Sequence, residues 1–314
     1  MYPLKMKSIY DKTIWANNKL TTIRNKEDGY GTAWEVSAHP YCQNIILNGK
    51  YAGKNLLEMI EDHKEAMIGD FELEDMLRVA YLDAKDDLSI QVHPHHDYAR
   101  KHDNDNGKTE SWYILEAEAG ATLVAGTLCD DPNIIKKAIK EGNLEQYLRK
   151  VPIEKGDFIY IDETMLHALG ANIFAIEIGT NSNTTYRFYD YNRKDANGNG
   201  RQLHLEKSFD VVDLTKRTEK ISNPFIKHDK TTKKTLCDSE FFHVDIYDVV
   251  DEITFDTNND IFMTITFVNG SGIVECAGES IEMNYTQSMF VPISTKPFTV
   301  KGNVRLLVGY VNKK

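Results

Sequence analysis

The sequence predicts a mainly β protein, two sandwich or jelly-roll domains with a small helical insert, on three observations. Short β-branched or aromatic runs bounded by turn residues recur between residues 33 and 189. A second strand-dense run fills residues 236–312. Helical periodicity is confined to two stretches, 53–68 and 131–150. The length of 314 residues suits two small domains or one large one. With 41% hydrophobic and 27% charged residues, the composition is that of a globular chain and excludes disordered, collagenous and coiled-coil classes.

In the first helical stretch, GKNLLEMIEDHKEAMI, the residues Leu56, Leu57, Ile60 and Met67 fall roughly on one side of a 3.6-residue period, which predicts a helix of about four turns. At 131–150, Asp131 reads as an N-cap with Pro132 at the first helical position. Ile135, Ala138 and Ile139 then repeat at helical spacing up to Gly142. Asn143 is expected to cap a second short helix with Leu144, Tyr147 and Leu148 on its apolar face. Predicted strands are 33–37, 88–92, 111–115, 121–126, 157–161, 173–179 and 185–189, followed by a polar surface loop at 192–202. Further strands are expected at 261–268, 272–276, 288–291 and 305–311. We divide the chain into an N-terminal domain at 1–204, a connection at 205–235 and a smaller C-terminal β domain at 236–314. The phrases GDFIYIDETMLH at 156–167 and TQSMFVPISTKP at 286–297 share a turn-and-strand shape, so the two domains are expected to share an architecture. The second phrase has no histidine, and a metal is therefore expected in the first domain.

Net charge is −11, from 37 Lys+Arg against 48 Asp+Glu, without a basic block, so nucleic acid is not an expected partner. Apolar runs stop far short of the roughly 20 residues needed to span a bilayer, and no membrane is expected either. The first residues lack an apolar signal core and a cleavage site, and the four cysteines are widely spaced without a C-x-x-C pair. We expect a cytoplasmic protein with neither a disulfide nor a thiolate metal site.

The densest chemical signal is LDAKDDLSIQVHPHHDYARKH at 82–102. Gln91 and His93, two apart on a strand, project from one face and can reach one ion. His95 and His96 follow Pro94 and are expected in a solvated turn. In GKTESWYIL, Lys108 and Glu110 alternate onto one face ahead of an aromatic strand. A carboxylate beside an imidazole and an amide gives a nitrogen-and-oxygen set suited to zinc, and also to manganese or iron. In EKGDFIYIDETMLHALGAN, a turn at Gly156-Asp157, a strand and a second turn at 162–164 lead to His167, an order that resembles the second sequence motif of cupins.

Together the stretches GTAWEVSAHP, LDAKDDLSIQVHP, GKTESWYIL, GDFIYIDETMLHALG and TYRFYDYNRKDANGNGRQLHLEKS resemble the type I mannose-6-phosphate isomerases in their short bacterial form. The resemblance runs from about residue 10 to 212 and implies two cupin-type jelly rolls, the second without metal. It implies a zinc-dependent aldose–ketose isomerase that interconverts mannose 6-phosphate and fructose 6-phosphate through a cis-enediol. By this resemblance Gln91, His93, Glu110 and His167 match the zinc ligands. Lys108 and Arg187 match active-site cations with catalytic and substrate-binding roles, and Trp15 is carried over as a substrate contact. The partner so implied is a small sugar phosphate.

Several positions depart from the family pattern. Ala80 stands where an active-site lysine is usual, in MLRVAYLD. IEIGTNSNTTYR puts Gly179 and Thr180 for two glutamines, and Asn183 for an aspartate considered catalytic. Trp15-Ala16-Asn17 replaces Trp-Gly-Gly, and Thr32 replaces the glutamate before Trp34. Arg78, two residues from Ala80 and on the same strand face, could supply part of the missing charge. These changes leave two further readings open: an isomerase or epimerase of a different sugar, and a non-catalytic metal-stabilised sugar-binding cupin.

Overall fold

The computed structural model describes residues 1–194 and 198–311. Part of the predicted surface loop, 195–197, and the last residues of the predicted C-terminal domain, 312–314, lie outside the described residues.

Two antiparallel β sandwiches pack back to back. In the first, a six-stranded sheet runs in the order Phe158–Ile161, Glu110–Ala117, Ile173–Thr180, Leu77–Ala84, Tyr30–Val36, Ile9–Lys12. It faces a five-stranded sheet ordered Leu148–Pro152, Thr122–Thr127, His167–Ala168, Ile90–Val92, Tyr186–Tyr189. Leu82, Trp112, Ile114, Leu123, Ala125 and Ile159 fill the space between them. The second sandwich pairs an eight-stranded with a four-stranded sheet around Met263, Ile265, Phe267, Val274 and Val300.

The six-stranded sheet is buried on both faces. Leu77, Val79 and Tyr81 share a cluster with Leu236, Val244, Ile246 and Leu307 of the second sandwich, whereas Leu82 and Ala84 face the interior of the first. Every residue of Leu77–Ala84 is buried, and the strand accordingly reads as a continuous run rather than an alternation. The predicted boundaries at 204 and 236 do not separate the sheets. The first strand, Leu4–Lys7, pairs with the second domain at Leu4↔Phe290 and with the first at Met6↔Ile46. The two similar phrases do build similar turns: Gly156 (φ 91°) and Thr286 (φ 72°) each stand two residues before their strand, Phe158–Ile161 and Ser288–Val291.

Three helical expectations need correction. The four-turn helix at 53–68 is two shorter ones, Leu56–Asp62 and Lys64–Met67, because His63 leaves the helical region at φ −135°, ψ 36°. Asn143 makes no side-chain cap, and Leu144–Tyr147 is a single 3-10 turn. His95 and His96 are not in a turn: His95 stands at the N-cap of a helix, His96–Asp103. Pro132–Glu141 forms as expected, with the Asp131 carboxylate accepting from Asn133 N at 2.8 Å and Gly142 closing the helix at φ 70°. Inside the expected connection, Leu205–Val211 is helical. Its Val211, with Ile135, Ala138 and Leu144, covers the outer face of the five-stranded sheet, whose Ile90, Val92 and Phe188 point away from the site.

A cleft of about 280 Å³ between the sandwiches is lined by Glu74, Asp75, His96, Glu163, Glu240 and Phe241. Burial, reinforced by Asp162 and opposed by Lys216, pushes the Glu163 carboxyl up from 4.5 to about 7. The folded protein therefore holds this proton between those values while the unfolded chain does not. The stability it contributes is present below about 4.5 and is lost as pH rises through 7. Glu163→Gln should raise the melting temperature at pH 8 more than at pH 5, and an equal shift at both pH values would contradict this.

Candidate metal centre and active site

Register places the candidate residues before any side chain is considered. Arg187 pairs with Gln91, and Gln91 with His167, so these three stand in one row across the five-stranded sheet. His93 lies two residues beyond Gln91 on the same face. On the six-stranded sheet opposite, Gly179 lies between Arg78 and Glu110, and Glu177 between Ala80 and Trp112.

The facing rows bring His93, Glu110 and His167 together, all with no exposed surface and with ligand atoms within 4.8 Å of one another. His93 Nδ1 is 3.0 Å from the Thr184 carbonyl and His167 Nδ1 is 2.8 Å from that of Met165. A carbonyl can only accept, so each Nδ1 carries the proton and each Nε2 of a neutral ring presents a lone pair. These Nε2 atoms lie 3.1 Å apart and 3.3 Å from the two Glu110 oxygens. Burial, then Lys108, outweigh the attraction of Glu110 and push the His93 imidazole down to about 4, so the ring is neutral near pH 7. Lys108 Nζ stands 2.6 Å from Glu110 Oε2 as an ion pair, and the other oxygen, Oε1, faces His167 Nε2. Two imidazole nitrogens and a carboxylate that converge on one buried point fit a divalent cation, with the mixed nitrogen and oxygen ligands that zinc accepts. Gln91, half-buried, stands beside His167 in register.

Lys108 Nζ lies between Glu110 (2.6 Å) and Glu177 (3.1 Å). Burial disfavours its charge, but the two carboxylates outweigh that and raise its pKa. Burial and Glu110 push the Glu177 carboxyl up against the pull of Lys108. Glu110 goes the other way: burial opposes its ionisation, yet Lys108 and His93 hold it well below the usual carboxylate range. Two carboxyls on neighbouring strands thus have their pKa values pushed in opposite directions, the pattern that separates acid from base roles.

Arg187 donates through Nη1 to the Gln202 carbonyl at 2.8 Å, while its Nε is buried without a partner. Trp15 belongs to the buried apolar cluster that also holds Leu82 and Trp112 and is 7% exposed. His95 and His96 are not in the three-residue cluster.

The departures are met by one another. Ala80 packs with Trp34 and Cys42, and the Arg78 guanidinium lies over the Trp34 ring at 4.0 Å. Arg78 also donates to the Ser182 carbonyl and to Asn183 Oδ1, the latter at 3.3 Å. The strand cation and the residue at the aspartate position are therefore in contact. Sequence reasoning missed Glu177 as a site residue. Its signal was a lone carboxylate inside the apolar strand IFAIEIG, which can stay there only if paired.

Residues 5–125 match the family described as phosphomannose isomerase type I, catalytic domain, and residues 232–311 match mannose-6-phosphate isomerase, cupin domain. Mannose-6-phosphate isomerase of Streptococcus mutans is 30% identical across 99% of this chain and 99% of its own. The chain belongs to the type I mannose-6-phosphate isomerase family. A second member of that family, mannose-6-phosphate isomerase ManA of Bacillus subtilis, is 31% identical over 98% of this chain and 99% of its own. The crystal structure of a mannose 6-phosphate isomerase from Bacillus subtilis superposes with a TM-score of 0.91 at 30% identity, covering 98% of this chain and 99% of that one. Both sandwiches are accordingly cupin jelly rolls. No described helix is long and apolar enough to cross a membrane.

Gly179 permits the close approach of its two neighbours. A Cβ there would lie 2.8 Å from the Thr109 carbonyl oxygen and 3.1 Å from Glu110 Cβ. Gly179→Ala is expected to cost about 1–3 kcal/mol through overpacking, read as a lower denaturant midpoint with an unchanged m-value. A midpoint equal to wild type would show that the two strands separate freely.

Proposed function

We propose that this chain is a zinc-dependent mannose-6-phosphate isomerase, with Gln91, His93, Glu110 and His167 as metal ligands and Lys108 and Arg187 acting on the sugar phosphate. The observation that carries the reading is the buried convergence of His93, Glu110 and His167, with Lys108 beside it, in a member of this family. Zinc bound there would act as a Lewis acid on the C1 and C2 oxygens of the sugar.

Isomerisation through a cis-enediol moves a proton from C2 to C1 and a hydroxyl proton from O2 to O1. Lys108, kept cationic between two carboxylates, offers N–H donors to the oxygen on which negative charge develops. Asn183 cannot act as a carboxylate base. The carboxyl left to exchange a carbon-bound proton is Glu177, whose raised pKa brings it nearer the range of a general acid–base group. Its Oε2 is held by Trp112 Nε1 at 3.4 Å and its Oε1 by Lys108. The sugar carries a phosphate dianion at its far end, which calls for a cation there. Arg187, with a free Nε and a planar fork, is suited to holding that phosphate.

The same departures favour one second reading, an isomerase or epimerase of a different sugar. Ala80 and Asn183 remove a cation and a carboxylate while the three clustered ligands are kept.

The test is proton NMR of the zinc-loaded protein with fructose 6-phosphate in deuterated water. Mannose 6-phosphate labelled at C2 is the expected product, abolished in His167→Ala, whose metal content should fall from one ion per chain towards none. Turnover without bound metal would refute the zinc assignment. Bound metal without turnover or label would favour the different-sugar reading.

A further inference from the structure

One residue that touches neither ligand nor sugar is built into the metal centre. Asp105 lies in the loop between the helix His96–Asp103 and the strand Glu110–Ala117. Its Oδ2 accepts from Asn183 N at 2.9 Å and from Thr184 Oγ1 at 2.8 Å, with Ser182 Oγ at 3.4 Å. Its Oδ1 accepts from Asn106 N at 2.8 Å and meets His39 Nε2 at 3.0 Å. The carboxylate is thus the hub that fixes residues 182–184, and the carbonyl of Thr184 in turn takes the Nδ1 proton of His93.

The neighbouring contacts make this a clasp between two loops. Asn106 Nδ2 donates to the Asn181 carbonyl at 2.8 Å, Ser182 Oγ to the Asn106 carbonyl at 2.7 Å, and Thr180 Oγ1 to the Gly107 carbonyl at 3.0 Å. Residues 105–107 lead into Lys108 and Glu110, and residues 182–184 lead into Arg187. The clasp therefore sets the spacing between the Glu110 strand and the group that orients His93.

We propose that Asp105 is a positioning residue of the metal centre, acting through the Thr184 carbonyl to fix the tautomer and ring orientation of His93. An imidazole whose Nδ1–H is held by a fixed carbonyl keeps its Nε2 lone pair aimed at the ion, and loss of such outer partners typically weakens metal binding tenfold to a hundredfold. Without Asp105, residues 182–184 lose their central acceptor, the carbonyl drifts, and His93 gains freedom to rotate or change tautomer.

The inference rests on the metal reading, and the experiment separates the two. Wild type and Asp105→Ala are titrated with zinc against a chelator, well below the melting temperature of the metal-free forms, and the visible spectra of their cobalt(II)-substituted forms are compared. The expected result is a dissociation constant about 10–100 times higher in Asp105→Ala, with a changed cobalt ligand-field spectrum. Asp105→Asn, which keeps one oxygen for the 182–184 loop, should fall between. A merely structural aspartate would lower the melting temperature of the metal-free protein while leaving affinity and spectrum as in wild type, and that result overturns the proposal. Should Asp105→Ala fail to fold, Thr184→Val removes the hydroxyl link and keeps the carbonyl. Its affinity should weaken in the same direction, and an unchanged value again overturns the inference. A wild-type protein that binds no divalent metal overturns the metal reading itself, and this inference with it.

Discussion

Glu110 has no exposed surface, yet its environment favours the ionised form. Leaving a buried carboxylate without compensation costs several kcal/mol, on the order estimated for an ion in a protein interior, so the surrounding structure must supply positive charge or a metal. Lys108 supplies one charge and shares it with Glu177. The neutral His93 imidazole adds a lone pair rather than a proton, which increases the demand for a cation instead of meeting it. The remaining arrangement of the first sandwich follows from this requirement: two sheets must present opposing rows at one end, with the ligands of one row aimed at the carboxylate of the other.

That geometry depends on a sheet whose two faces have different tasks. The inward face of the six-stranded sheet carries Arg78, Glu110 and Glu177, while its outward face carries Leu77, Val79 and Ile178 against the second sandwich. Gly309 of the second sandwich approaches so closely that a Cβ would lie 3.2 Å from Leu77 and 3.4 Å from Ile178. Polar groups on the inward face are thus backed by a rigid apolar layer, which limits how far the strands can adjust. The C-terminal domain contributes none of the three clustered ligands. It contributes the packing that lets a charged face stay buried.

What the sequence disclosed follows the range over which each signal operates. Strand alternation and turn residues located strands such as Glu110–Ala117 and Ile173–Thr180 but not His243–Val249 or Phe298–Lys301, and the spacing of Gln91 from His93 placed both on one face because that face is a local property. Glu110 and His167 were legible as candidates, but their meeting with His93 depends on pairing between distant strands, which the resemblance supplied and the spacing did not. The helix at 53–68 was misjudged at His63, where nothing in residue type marks a break. His96–Asp103 was hidden because its polar sequence has few apolar positions from which to read a helical period. Asp105 was invisible for a different reason. An aspartate in a loop of Asp and Asn residues looks solvated until the loop at 180–184 closes over it.

The clasp also bears on the residues that depart from the family pattern. Asn183 is held from two sides, its backbone N–H by Asp105 and its side-chain oxygen by Arg78. An aspartate at 183 would pair with Arg78 as an ion, and the strand cation would be neutralised by its own neighbour. Asparagine accepts the same hydrogen bond without cancelling the charge. Arg78 therefore keeps its electrostatic influence on Glu177 and Lys108, and both appear among the groups with which it interacts. Ala80, beside it, leaves room for the guanidinium to stack on Trp34. Asn183 and Arg78 are thus coupled: because the amide accepts without carrying charge, the guanidinium keeps its positive charge beside the site.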